Sequence, residues 1–249
     1  MMSYQNLIKE TEHKEQEVME NRYRVPYNWC SRGHSRGWRA KSGLWVLAHN
    51  LSGNLSGKKV LDAGCGDGWY TDRISKEAGE TFGADYSPRA IGFASLIVSS
   101  AKFKVSSLLE LPFPDNYFDV IFSFQVLEHI PPQDFDVAVG ELARVLKDGG
   151  VLVASVPSVN RPMSSAHFRH FTLKSFSDAM STHFFVEKAL GQERHSMILH
   201  LLERLLENRF WLLTWLASYF NNKIFPGCWN ETSPEKGQNL VVRLKKKNG

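Results

Sequence analysis

The sequence predicts an α/β protein with a parallel sheet and crossover helices, on three observations. A short apolar run, Val60-Leu61-Asp62-Ala63, passes into three glycines at alternate positions, Gly64, Gly66 and Gly68, and then into Trp69–Ile74, which can open a helix. From Lys58 onward strand patterns alternate with helix patterns, the sign of parallel strands joined by helices. The second strand closes on an acid, Asp85, at about the 20-residue spacing from the glycine turn that suits a ribose diol. A strand, a Gly-rich turn and a helix N-terminus bring backbone N–H groups to one point, which suits an anionic or strongly polar ligand. Glycine there lets the backbone take positive φ and approach that ligand closely.

A chain of 249 residues, 43% hydrophobic and 22% charged, can bury a full core and fits one large α/β domain or one domain with an appendage. Its formal charge of +4, part of it in Lys245-Lys246-Lys247, reads as solvated surface rather than a nucleic-acid footprint. Cys30, Cys65 and Cys228 stand at wide spacings that match no zinc site and no disulfide framework. Met1–Glu20 is polar, without a signal-peptide core, so a cytoplasmic location is expected.

Residues 1–55 read as an N-terminal helical arm or flap, and residues 56–249 as the main domain. In the arm, Lys9–Glu17 suits an exposed helix. Arg22–Trp29, dense in aromatics and arginines, is either a flap over a pocket or a plain anchor. Gly33, Gly37 and Gly43 break the next stretch before a core-facing helical turn at Leu44–Ala48. The main domain then reads as strand Lys59–Ala63, helix Trp69–Ala78, strand Thr81–Ala84, a helix capped by Ser87 and started by Pro88, and strand Lys102–Val105. Strand Phe118–Ser123 is apolar on both faces, as a central parallel strand should be. Helix Asp134–Leu146, strand Val151–Val156, helix Leu173–Ser181 and strand Phe184–Ala189 follow, and a long insertion at 192–238 precedes the last strand, Asn239–Leu244.

Open α/β sheets bind ligands at the carboxyl ends of their strands. Those ends are Asp62–Gly68, Asp85-Tyr86, Ser106–Leu108, Phe124-Gln125 and Pro157-Ser158. A dinucleotide dehydrogenase and a transferase with a nucleoside cofactor both fit this much. Four ordered segments decide between them: Val60–Gly68 with Asp85, Leu111–Ile121, Val126–His129 and Arg144–Gly150. Together they resemble the class I S-adenosylmethionine (SAM)-dependent methyltransferases, particularly the small-molecule branch of ubiquinone/menaquinone-type and sugar methyltransferases. The resemblance covers roughly residues 58–190 and the final strand. It implies a Rossmann-like, seven-stranded, mostly parallel sheet with an antiparallel last strand, helices on both faces, and S-adenosyl-L-homocysteine as the product.

Carried onto this chain, the resemblance implies that Asp62, Gly64, Cys65 and Gly66 line the methionine end of SAM. Asp85 would hold the ribose, Tyr86 would pack on the adenine, and Phe124 and Gln125 would face the amino-acid moiety. Where many relatives place an Asp for the adenine amino group, this chain has Ser107 beside Leu108, whose hydroxyl makes a weaker bond without charge assistance. Cys65 is read as packing and given no nucleophilic role. The ubiquinone-type enzymes can carry a divalent metal after strand four, at positions that here read Gln125, Glu128 and His129. Gln in place of the first acid removes a charge that a hard cation prefers, so no metal is expected.

Methyl transfer to oxygen or nitrogen needs in-line placement of the nucleophile and often a base. His129 after strand four and His170 after strand five, with His167 nearby, are the candidate bases. The apolar run 196–220 is interrupted by Glu203, Arg204, Glu207 and Arg209 and is not expected to span a membrane. It reads as a lid, an interfacial helix for a lipid-linked substrate, or a homodimer contact. The expected activity is methylation of a small molecule at a hydroxyl of a sugar, lipid-linked glycan or quinone-like compound. The rival readings are an RNA methyltransferase and a non-catalytic binding partner. Phe124–Leu127 lacks the Pro-Pro-aromatic pattern of base-amino methylation, and no nucleic-acid partner is expected.

Overall fold

Eight strands form a single sheet in the order β3-β2-β1-β4-β5-β8-β6-β7 in a computed structural model that describes residues 21, 23–30, 36–194, 201, 219 and 230–247. The strands are β1 Lys59–Ala63, β2 Glu80–Asp85, β3 Lys102–Val105, β4 Phe118–Phe124, β5 Leu146–Pro157, β6 Phe184–Arg194, β7 Glu231–Thr232 and β8 Gly237–Lys246. The first five run parallel, while β8 lies antiparallel between β5 and β6. The helices are α1 Arg36–Ser52, α2 Trp69–Ser75, α3 Pro88–Ile97, α4 Phe135–Val145 and α5 Leu173–Met180.

Alternation along each strand sorts the core into two layers, because successive side chains point to opposite faces. Leu61, Ile121, Leu152 and Val242 face one cluster with Val139 and Leu142 of α4 and Phe176 of α5. Val60, Val120, Phe122, Val153 and Val241 face the other, with Leu44, Leu47, Ala48 and Leu51 of α1 and Ile74 of α2. The α1 residues stand at helical spacing, one stripe turned to the sheet. Both faces are thus covered, which is why the central strands read as unbroken apolar runs.

The architecture expected from the sequence is present, with three differences. The sheet has eight strands because Glu231–Thr232 adds a short edge strand that pairs with Gly191 and Gln192 of β6. Strands therefore rim the 192–238 insertion: β6 runs on to Arg194 and β8 begins at Gly237. In the arm, a 17-residue helix runs through Gly37 and Gly43, which were expected to break it. Gly43 has a packing reason, since a Cβ there would stand 2.1 Å from Asn230 Oδ1. The expected helix Lys9–Glu17 and most of the 196–220 run, including Trp211 and Trp215, lie outside the described residues. Within that run Leu201 and Tyr219 are exposed. Among the described residues no helix is long and apolar enough to cross a membrane.

Candidate active site

At the donor end, Gly64, Gly66 and Gly68 adopt φ of 82°, 54° and 82°, left-handed backbone that costs L side chains energy. The N–H groups of Gly64 and Cys65 donate to Ala84 O at 2.7 and 3.0 Å, which ties the turn to β2. Asp85 closes β2 and takes Gly66 N–H on Oδ2 (2.8 Å) and Ser87 N–H on Oδ1 (3.0 Å). Ser87 Oγ accepts Ala90 N–H and caps α3.

Asp62, 1% exposed, accepts the Thr71 hydroxyl on Oδ2 at 2.6 Å, while Oδ1 is buried with no partner. Burial pushes its carboxyl up to about 7. An acid held that way at the turn fits the ammonium of an amino-acid ligand, which would supply the missing donor and charge. Cys65 is buried, and desolvation, with Asp85 and Asp62 nearby, raises its thiol well above the ordinary range, so it is inert as a nucleophile. Ser107 Oγ accepts the N–H of Leu109 at 3.1 Å, beside buried Leu108. Tyr86 is half-buried. The Phe124 ring packs within the core, stacked on Tyr70 at 4.0 Å. Gln125 follows at φ 56°, strained backbone of the kind functional sites store.

The arm seats directly on the glycine turn. Asn28 donates its N–H and Nδ2 to the two oxygens of Asp67 (2.7 and 2.9 Å), and Trp29 Nε1 donates to Asp67 O (2.8 Å). Lys41 Nζ donates to Asn28 O at 2.6 Å, and burial lowers its ammonium to about 8. A Cβ on Gly66 would stand 2.5 Å from the Tyr23 hydroxyl. The sequence signal for the Tyr23, Asn28 and Trp29 contacts is the aromatic density of Arg22–Trp29; Lys41 and Asp67 carry none of their own.

On the acceptor side, a Cβ on Gly64 would stand 2.3 Å from Val126 Cγ2, so the segment after β4 leans on the donor turn. Leu127–His129 forms a short 3₁₀ turn there. His129 Nδ1 lies 2.7 Å from Ala166 O, and a carbonyl only accepts, so Nδ1 carries the proton and Nε2 the basic lone pair. His170 Nδ1 faces Arg161 O (3.1 Å) and its Nε2 faces His167 Nδ1 (2.8 Å). The same logic gives His167 an Nδ1–H and a basic Nε2. His167 stands between the two sequence candidates, with its ring centroid 4.8 Å from His129 and 5.1 Å from His170.

Beneath them Glu128 is fully buried with no hydrogen bond to either carboxylate oxygen. Burial raises its carboxyl to about 8. Glu128, His129 and His167 each offer a ligand atom, all within 4.8 Å of one another, so the set could hold a divalent cation. Gln125 offers a cation no charge, but His167, arriving from the loop after β5, joins Glu128 and His129 in the set.

Residues 61–154 match the family model described as a methyltransferase domain. A probable S-adenosylmethionine-dependent methyltransferase of Mycolicibacterium smegmatis is 31% identical over 165 residues, 61% of this chain and 63% of that protein. A ubiquinone biosynthesis O-methyltransferase of Rhizobium etli is 28% identical over 49% of each chain. The chain thus spans about half to two thirds of the length of these curated relatives. Among solved structures, the N-methyltransferase NodS of Bradyrhizobium japonicum bound to S-adenosyl-L-homocysteine aligns with a TM-score of 0.63 at 14% identity, over 94% of this chain and 99% of that one. The [4+2]-cyclase SpnF aligns at 0.61 and 18% identity, over 94% and 97%. Those two share the fold with this chain and have different activities, so the fold alone names no reaction. The glycine turn, the two acids that flank it and the matched segment agree: over residues 61–154 the chain matches a methyltransferase domain, and it is similar to proteins named as S-adenosylmethionine-dependent.

Proposed function

We propose that the chain transfers the SAM methyl group to a hydroxyl of a small molecule, a sugar, lipid-linked glycan or quinone-like compound. The observation that carries this reading is His129. Its imidazole sits on a short turn that packs against the donor glycines, and Ala166 O fixes the tautomer that leaves Nε2 basic. In the step, the acceptor oxygen attacks the methyl carbon in line, the sulfur–carbon bond breaks, and S-adenosyl-L-homocysteine leaves. The hydroxyl proton passes to His129 Nε2. Asp62, Gly64, Cys65 and Gly66 line the methionine end, Asp85 holds the ribose, and Tyr86, Ser107 and Leu108 wall the adenine. Phe124 backs the pocket from the core, and Gln125 borders the reacting groups. His170 orients His167 rather than meeting the acceptor itself.

The Glu128–His129–His167 set favours a second form of the same reaction. A divalent cation there would lower the acceptor hydroxyl's pKa, and the histidines would then act as ligands. Methylation assays over a panel of quinols, sugars and lipid-linked glycans, run with and without chelator, test both. Turnover by His129→Ala at the wild-type rate, with SAM still bound, rules out the base. The ubiquinone relative supports oxygen as the acceptor atom. The 196–220 run is read as an approach to a lipid-linked acceptor or a second copy of the chain.

A further inference from the structure

Three buried amides, Gln192, Asn230 and Asn239, belong to neither the donor pocket nor the histidine cluster. Their hydrogen bonds form one chain. Asn230 Nδ2 donates to Gly43 O (3.0 Å) and Gln192 Nε2 to Ala40 O (2.9 Å), both carbonyls of α1. Asn239 Nδ2 donates to Gln192 Oε1 (2.7 Å). Arg161 Nη1 then donates to Asn239 Oδ1 (3.2 Å) and to Gln125 Oε1 (3.4 Å). The orientation is forced from both ends. Backbone carbonyls only accept, so Gln192 and Asn230 must turn their NH₂ groups to α1. A guanidinium only donates, so Asn239 must turn its oxygen to Arg161. From the core outward, the amide oxygens at the end of this chain face a cation.

Arg161 is also fixed by its backbone. Its N–H donates to Ser158 O at 3.0 Å, and its carbonyl accepts His170 Nδ1. Asn160 Nδ2 pins the loop to Glu235 O and Gly237 O at 2.8 and 3.0 Å, and Ser158 Oγ also bonds Gly237 O. The guanidinium is exposed, and among the described residues its hydrogen-bond partners are neutral amide oxygens. Val159, Met163 and Phe168 on the same loop are exposed apolar side chains.

We propose that Arg161 is an anion anchor for the methyl acceptor. It takes a carboxylate or phosphate of the acceptor beside Gln125, with the acceptor's apolar body against Val159, Met163 and Phe168. The proposal rests on the transfer to a small-molecule acceptor argued above. An arginine presents further N–H groups in a planar fork beyond the one these amides engage, which suits a two-oxygen partner.

The probes are inorganic phosphate and benzoate, titrated by calorimetry into protein saturated with S-adenosyl-L-homocysteine and again into protein without it. Saturable millimolar binding is expected, weakened at least five-fold in Arg161→Gln and less in Arg161→Lys. The side chain is exposed, and an unchanged melting temperature checks the fold of both variants. Vesicles of phosphatidylglycerol in phosphatidylcholine, against phosphatidylcholine alone, separate the sources. Sedimentation that Arg161→Gln abolishes places the anion on a lipid headgroup; phosphate binding without sedimentation places it on a soluble acceptor. Wild-type protein that binds neither anion saturably, or Arg161→Gln that binds as wild type does, overturns the anchor. Absent S-adenosyl-L-homocysteine binding would instead fault the donor reading, a result distinct from the anion titration.

Discussion

The donor end and the acceptor rim share the carboxyl edge of one sheet but are assembled over different spans of chain. Gly66 meets Asp85 across 19 residues and Asp62 meets Thr71 across nine. At the rim, Arg161 meets Asn239 across 78 residues, Gln192 meets Ala40 across 152 and Asn230 meets Gly43 across 187. A site closed by near neighbours leaves its spacing in the sequence as a motif. A site closed by distant partners leaves only isolated residues. The two ends also treat their buried acids differently. Asp62 keeps one hydrogen bond and awaits a second; Glu128 has none on its carboxylate.

The contrast can be broken first at the turn. Gly64→Ala adds a Cβ against Val126 at a φ of 82°, and SAM affinity measured by calorimetry should fall about 100-fold or more. Next, His129→Ala should lower kcat by about 10²–10⁴-fold with SAM affinity unchanged, which would show that the two ends can be disabled separately. A wild-type kcat would join the histidine to the scaffold instead. Gln192→Ala strips partners from Asn239 and leaves a gap. A loss of about 2–3 kcal/mol in denaturant unfolding is expected, with donor binding kept.

The last effect is a gain. Glu128 is raised from 4.5 to about 8, so the folded chain holds a proton that the unfolded chain releases across that window. Stability from this group therefore falls as pH rises from about 4.5 to 8. Glu128→Gln should match wild type at pH 4 and be the more stable of the two at pH 9 in the absence of divalent cations. Equal melting temperatures at both pH values would mean that the carboxyl is relieved by something else, a bound cation being the first to check by chelation.

Much of the fold was legible because strand residues here obey local rules. The bounds of β1 and β3 agree with the sequence pattern, and Ser87-Pro88 opens α3 as its chemistry requires. What misled was local chemistry overruled from afar. Gly43 looks like a helix breaker, yet it lies within α1 because Asn230 needs the room. Strand β7 is two residues long and has no period of its own. In the site, the positions of the glycine turn after β1, of Asp85 at the end of β2 and of His129 after β4 were readable. The seating of Asn28 on Asp67 and the tether of Arg161 were not, because each depends on a segment returning from another part of the chain.

The amide chain has a consequence for the order in which the molecule can be completed. Helix α1 precedes the sheet in the sequence, yet Gly43 O and Ala40 O await Asn230 and Gln192, and Arg243 of β8 reaches back to Leu51 O. Part of its anchoring therefore comes from residues that a ribosome makes 152 to 192 positions later. Contacts of such separation form late, after the loops between them have closed. During synthesis the apolar stripe of α1 must wait on an unfinished sheet. That interval, rather than any weakness of the finished fold, is where a chaperone or an aggregate would find this protein.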